Sequence, residues 1–157
     1  MGDLDAVVGL WVALVADQRA HGTHLLPEAN RAAARDVLSQ YVATDRVFVA
    51  RSPDGSAPIG FVMHHVENGF YTEDDSRGVV DNIYVEPAYR GQGVGSRLLD
   101  AAERALGEAG AGVLAISVMA ANERARELYE ERGYGLHRHV LEKPVKSDTH
   151  SRDDGER

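Results

Sequence analysis

Three glycines in five residues constrain this chain more than any other feature. They are Gly91, Gly93 and Gly95 in the stretch Arg90-Gly91-Gln92-Gly93-Val94-Gly95-Ser96. The stretch follows an apolar run, Val79-Val80-Asp81-Asn82-Ile83-Tyr84-Val85, that reads as a strand, and it precedes a helical pattern from Val94 to Glu108. A strand that becomes a helix through glycines leaves backbone N–H groups uncovered, because no Cβ stands over the main chain. The helix N-terminus adds orphan donors and a partial positive charge. Together they predict a phosphate cradle, with Arg90 as a positive charge at its mouth. Spacing excludes two familiar loops. A nucleoside-triphosphate loop needs a Lys after its last glycine, and Gly95 is followed by Ser96 and Arg97. A dinucleotide loop needs Gly-x-Gly-x-x-Gly; counted from Gly91 the last position is Ser96, and from Gly93 it is Leu98. What remains is Arg-x-x-Gly-x-Gly over Arg90, Gly93 and Gly95.

Composition narrows the setting. A chain of 157 residues suits one domain with a sizeable core. It has no cysteine, which excludes disulfides, thiolate catalysis and Cys-based zinc sites. A formal net charge of −8 argues against a nucleic-acid surface, which needs a basic face. No apolar run approaches the ~20 residues of a membrane span, and acidic Asp3 and Asp5 stand where a signal peptide would be basic. A cytoplasmic protein without membrane or nucleic-acid partners is expected. Lys occurs only at Lys143 and Lys146. An acid-rich, Lys-poor chain fits either adaptation to high salt or a GC-rich genome.

The remaining pattern predicts a helix from Leu4 to Ala20, a second from Pro27 to Tyr41 or Val42, and a hairpin of Val47–Ala50 with Pro58–Glu67. A polar loop, 68–78, leads to the strand before the glycines. Val113–Val118 is nearly continuous apolar sequence, as in a central strand covered on both faces. Asn122 suits a helix N-cap and Gly133 its C-terminal stop. Tyr134–Glu142 reads as a last strand, and 146–157 as a disordered tail. The strand–helix–strand unit around the glycines implies parallel neighbours with a right-handed crossover.

Three elements coincide: the strand Asp81-Asn82-Ile83-Tyr84-Val85, the loop Arg90-x-x-Gly93-x-Gly95, and the helix from Asn122 through Tyr129 to Gly133-Tyr134. This combination closely resembles the GNAT superfamily of acyl-CoA-dependent N-acetyltransferases, over residues 4–144. The resemblance implies a single domain at 1–145 in the α/β (α+β) class. Its sheet would be mixed and mostly antiparallel, with a central, splayed parallel strand pair and flanking helices. It also implies a first strand that is short or absent here. The implied activity is direct acetyl transfer from acetyl-CoA, the only cofactor, to a primary amine on a small molecule or a protein, with no metal. A non-catalytic acyl-CoA sensor is the alternative. Homodimers occur in such families, although no residue of the sequence marks an interface.

The resemblance assigns roles residue by residue. The N–H groups of Gly91, Gln92, Gly93, Val94, Gly95 and Ser96 would cradle the pyrophosphate beside Arg90, and Ile83, Tyr84 and Val85 would pair with the pantetheine arm. Asn122 would touch that arm, or serve as a helix cap only. Tyr129 would protonate the leaving sulfur, or pack as an ordinary core aromatic. Asp81 would act as base through water if it shares a strand face with Ile83 and Val85; otherwise it is a structural carboxylate. His21, His24 and Asn82 are candidate acceptor contacts, the histidines equally readable as surface residues at a helix end. Glu67, Glu73, Asp74 and Asp75 could draw a cationic acceptor, or form a solvated loop.

Overall fold

A computed structural model of the chain describes residues 2–145. The tail expected at 146–157 lies outside the described residues. The first element is helix α1, Gly2–Arg19. A short 3-10 turn, Glu28–Asn30, leads into α2, Arg31–Ala43. Strands β1 (Val47–Arg51), β2 (Pro58–Val66) and β3 (Arg77–Val85) follow. Then come α3 (Val94–Glu108), β4 (Val113–Ile116) and α4 (Glu123–Glu131). Among the described residues no helix is long and apolar enough to cross a membrane.

The four strands form one sheet in the order β1-β2-β3-β4, with the first two pairs antiparallel and β3–β4 parallel. The period-2 alternation of β2 and β3 sends side chains to two different cores. On one face Phe61, Met63 and Tyr84 pack with Leu4, Val7, Leu10 and Leu14 of α1 and Leu38 of α2. On the other, Val62 and Val80 pack with Leu98, Leu99, Ala102 and Leu106 of α3. Gly60 permits the second contact: a Cβ there would lie 2.8 Å from the Tyr84 carbonyl oxygen and 3.3 Å from Leu98. Its absence lets the start of α3 settle onto the sheet. Ion pairs from Asp3 to Arg51 and from Asp5 to Arg35 fasten the acidic first turn of α1 to β1 and α2.

Two expectations are corrected. Val113–Val118 is not a central strand: β4 ends at Ile116 and lies at the sheet edge, with Val113 exposed. Tyr134–Glu142 forms no strand. Its strand-forming residues fit a pleated, half-buried surface, but no such surface receives them, and Leu136, Val140 and Leu141 stay 72–90% exposed. The chain does hold this segment at its two ends, where the Tyr134 hydroxyl donates to Glu103 at 2.7 Å and where His24 Nε2 and Glu142 Oε1 lie 2.9 Å apart.

Candidate active site

The parallel pair is short. Only Arg77 to Val80 of β3 pair with β4, at Val113 to Ile116. Beyond Val80 the two strands part, so the edge of β3 from Asp81 to Val85 has β2 on one side and no strand on the other. Ile83 and Val85 turn their side chains toward the α3 core, and Tyr84 turns its own, 7% exposed, toward α1. What these residues offer at the open edge is therefore main chain.

The glycine loop stands at the C-terminal end of that edge. Gly91 and Gly93 have φ of +79° and +85°, a left-handed conformation that an L side chain resists. Gly93 is the residue that starts α3. Outside the helices no backbone hydrogen bond is donated by residues 91–96; Arg97 N–H is the first to close one, onto Gly93 at 3.1 Å. The donor set thus fits a diphosphate: a run of N–H groups, glycine-flanked, at a helix N-terminus. Arg90 is less available than its position in the sequence implies. Its Nε donates to the Val85 carbonyl at 2.8 Å, its NH2 reaches Asp17 at 3.1 Å, and its guanidinium lies 5.3 Å from the Tyr84 ring centre. It braces the loop from below. The cation beside the loop is Arg97, which donates to the Gln92 carbonyl at 3.4 Å and which the sequence pattern did not single out.

A β-bulge decides where Asp81 points. Met63 pairs with Asn82 and His64 with Val80, so Asp81 is the extra residue on β3. The bulge turns Asp81 away from the face of Ile83 and Val85, contrary to the strict alternation expected from sequence, and toward α2. There the His65 Nδ1 lies 2.8 Å from Asp81 Oδ2, and the Tyr41 hydroxyl donates to the same oxygen at 3.1 Å. The cluster is about three-quarters withdrawn from water, with side-chain exposures of 26% for His65 and 21% for Asp81. Burial first, then the Asp81 charge and hydrogen bond, push the Tyr41 hydroxyl up to about 12, so it remains a donor. His65 and Tyr41 carry no motif in the sequence. They meet Asp81 from 16 and 40 residues away.

On α4, the Asn122 side chain accepts from the Ala125 N–H at 3.2 Å, a helix cap. Tyr129 packs into the α3-side core, edge-on to Tyr134 with ring centres 6.1 Å apart. Burial raises its pKa, which keeps the phenol protonated. The end of α4 is anchored on α3 by Arg132, 3.0 Å from Glu103, and by the Tyr134 hydroxyl donating to Glu103 at 2.7 Å. His24 is turned outward onto Glu142, and His21 is half-buried at the end of α1. Asn82 lines a cleft against α1 and α2. The carboxylates Glu67, Glu73, Asp74 and Asp75 line a separate hollow beside Arg77, at the far end of β3 from the glycine loop. Among the described residues no group of three or more His, Asp or Glu is placed to hold a metal ion.

Known proteins share this fold. The family model "Acetyltransferase (GNAT) family" matches residues 10–134. The chain belongs to the GNAT acetyltransferase family. A mycothiol acetyltransferase of Nocardiopsis dassonvillei is 30% identical over 78% of this chain and 38% of its own length. The thialysine N-epsilon-acetyltransferase of Bos taurus is 30% identical over 52% of this chain and 46% of its own. This chain thus spans less than half of these curated relatives. Among solved structures, a GCN5-related N-acetyltransferase from Ralstonia eutropha superposes with a TM-score of 0.70 at 26% identity, over 92% of this chain and 93% of that one. The aminoglycoside N-acetyltransferase AAC(6')-Iy, solved with CoA, superposes at 0.65 with 17% identity, over 88% of each chain, a likeness of fold. In this GNAT chain, then, the open strand edge and the glycine loop belong to a fold that also occurs with CoA bound.

Proposed function

We propose that this GNAT chain transfers an acetyl group from acetyl-CoA directly to a primary amine. The observation that carries the reading is the parting of β3 and β4 after Val80, which frees the Asp81–Val85 edge immediately before the glycine loop. Acetyl-CoA supplies an activated acyl group. Its diphosphate suits the N–H groups of residues 91–96 with Arg97 alongside, and its amide-bearing arm suits the open main chain of Ile83, Tyr84 and Val85. Asn122, the cap of α4 in the segment that follows β4, is assigned to the arm as well.

The proton balance sets the demand on side chains. A Lys-like amine with a pKa of 10.4 is neutral in about one molecule in 2,500 at pH 7, a deficit of roughly 4.6 kcal/mol. Removal of that proton is assigned to the Asp81–His65 pair. Asp81 Oδ2 holds the imidazole through Nδ1, which leaves Nε2 as the acceptor, and an imidazole suits proton transfer at neutral pH. Asp81 also supplies the negative charge that draws the ammonium form. Tyr129, kept protonated by burial, is assigned to the departing sulfur. Protonating a thiolate of pKa near 8.5 supplies about 2 kcal/mol at pH 7, and alignment of amine and thioester supplies more.

The same reading sets the reaction in the cytoplasm. The test is thiol release from acetyl-CoA across a panel of amines, with the product identified by mass. Amine-dependent release of one thiol per acetylated amine is expected. Tight acetyl-CoA binding with no release over the whole panel would make the chain an acyl-CoA sensor.

A further inference from the structure

A second cavity adjoins the proposed proton acceptor. A cleft of about 160 Å³ opens between α1, α2 and the α2-facing side of the sheet. Trp11, Ala33, Val37, Leu38 and Met63 form its walls, Asn30 and Asn82 contribute polar edges, and no charged residue lines it. An apolar cavity of about 150 Å³ takes a benzene-sized group. Its position ties it to the Asp81 cluster in two ways. Val37 and Tyr41 are about one turn apart on α2, ~6 Å along the axis, and Tyr41 is bonded to Asp81. On β3, Asn82 in the cleft and Asp81 in the cluster are consecutive, and the bulge sends both to this side.

We propose that the acceptor is a primary amine bearing a compact aryl or branched alkyl group, which occupies this cleft while the nitrogen lies at Asp81 and His65. The inference rests on the transferase reading above and adds the class of acceptor to it. A polyamine would need carboxylates, and those of Glu67, Glu73, Asp74 and Asp75 line the hollow beside Arg77 instead, with Glu67 already 3.6 Å from that guanidinium.

Trp11 is the only Trp of the chain and lines the cleft, so its fluorescence reports occupancy independently of turnover. Phenethylamine and isoamylamine are expected to give a saturable change in Trp11 emission, and ethanolamine and spermidine none. In thiol release, kcat/KM for the two apolar amines should exceed that for ethanolamine by about tenfold to a hundredfold, the range for burying one large apolar group. Val37→Glu and, separately, Ala33→Glu, both at exposed α2 positions, should abolish the Trp11 response and the preference while acetyl-CoA affinity by calorimetry is kept. Spermidine or ethanolamine turned over as fast as phenethylamine, with no saturable Trp11 change, would overturn the inference and leave amine acetylation standing. A saturable Trp11 change with no thiol release from any amine would overturn the transferase reading and the acceptor assignment with it. Dimerisation that Val37→Glu abolishes in sedimentation would also overturn it, the cleft then being an interface between two copies.

Discussion

Tyr129 has no hydrogen-bond partner in the cluster around it, only apolar contacts and the edge of Tyr134. A tyrosine used for packing alone would tolerate Phe. A tyrosine that protonates a thiolate would not, and Tyr129→Phe should lower kcat by about 30-fold at pH 7, the factor for a leaving group of pKa 8.5. Acetyl-CoA affinity should be unchanged. Full activity at every pH would remove the assignment. Asp81→Asn should lower kcat/KM by about 10² or more, since it removes both the ammonium's counter-charge and the group that orients His65. His65→Gln should lower kcat/KM by a similar factor. His64, its neighbour, faces the other way and has a different consequence. It is 4% exposed, its Nε2 has no partner among the described residues, and its ring centre lies 5.4 Å from that of Phe48. Burial lowers its pKa below the ordinary 6.5; Asp81 opposes the shift, and Arg46 and His65 reinforce it. The unfolded chain therefore takes up this proton first. Stability is full above the unfolded pKa and falls as pH drops from there toward the folded value, by at most about 1.4 kcal/mol per pH unit. Urea unfolding at pH 7.5 and 5.5 should show the fall, and His64→Phe should lessen it; an equal fall in the variant would contradict the account. At this scale the left-handed glycines and the Asn122 cap were legible in the sequence because local pattern carries them, whereas Tyr129 stood out only through the family resemblance. His65 and Tyr41 were not, because their bonds to Asp81 span the hairpin and the sheet.

At the scale of elements, two irregularities of β3 shape the proposed site: the bulge at Asp81 and the early end of its pairing with β4. Neither has a local signature. Alternation alone puts Asp81 beside Ile83 and Val85, and only the paired strand reveals the extra residue. The failed terminal strand has the same origin, since Tyr134–Glu142 contains strand-forming residues but pairing depends on a neighbour. The helices were legible to within a few residues, the expected start of α2 at Pro27 falling before a 3-10 turn instead, and α3 to the residue, because the glycines start it and its apolar face repeats at helical spacing. The packing of α3 gives the prediction at this scale. Gly60→Ala forces a Cβ toward the Tyr84 carbonyl at 2.8 Å, and backbone yields less readily than a side-chain tip. The cost should be about 1–3 kcal/mol in denaturant unfolding. Because Leu98 of α3 is the next contact, acetyl-CoA binding should weaken as well. An unchanged midpoint would show that α3 shifts without penalty.

Across the whole molecule, the sheet separates two tasks. The α3 side carries the glycine loop and Tyr129, suited to the donor; the α1–α2 side carries Tyr41, His65, the turned Asp81 and the apolar cleft, suited to the acceptor. β3 is the shared wall, and its bulge is where the two sides meet. A ligand that binds only the folded chain at 100 times its Kd adds about 2.7 kcal/mol of stability, which at this size is a rise of about 5–10 °C in Tm. Acetyl-CoA and CoA should give it, and ATP and NAD should not. Salt bears on the same quantity. If the acid-rich, Lys-poor composition reflects adaptation to high salt rather than a GC-rich genome, Tm rises in molar salt; best stability in dilute buffer would contradict the salt reading. The most direct measurement of the central claim is thiol release from acetyl-CoA with and without a primary amine, alongside the mass of the amine. Release that depends on the amine, one thiol for each added acetyl group, is the predicted result. Acetyl-CoA bound at the glycine loop with no amine ever acetylated would contradict it.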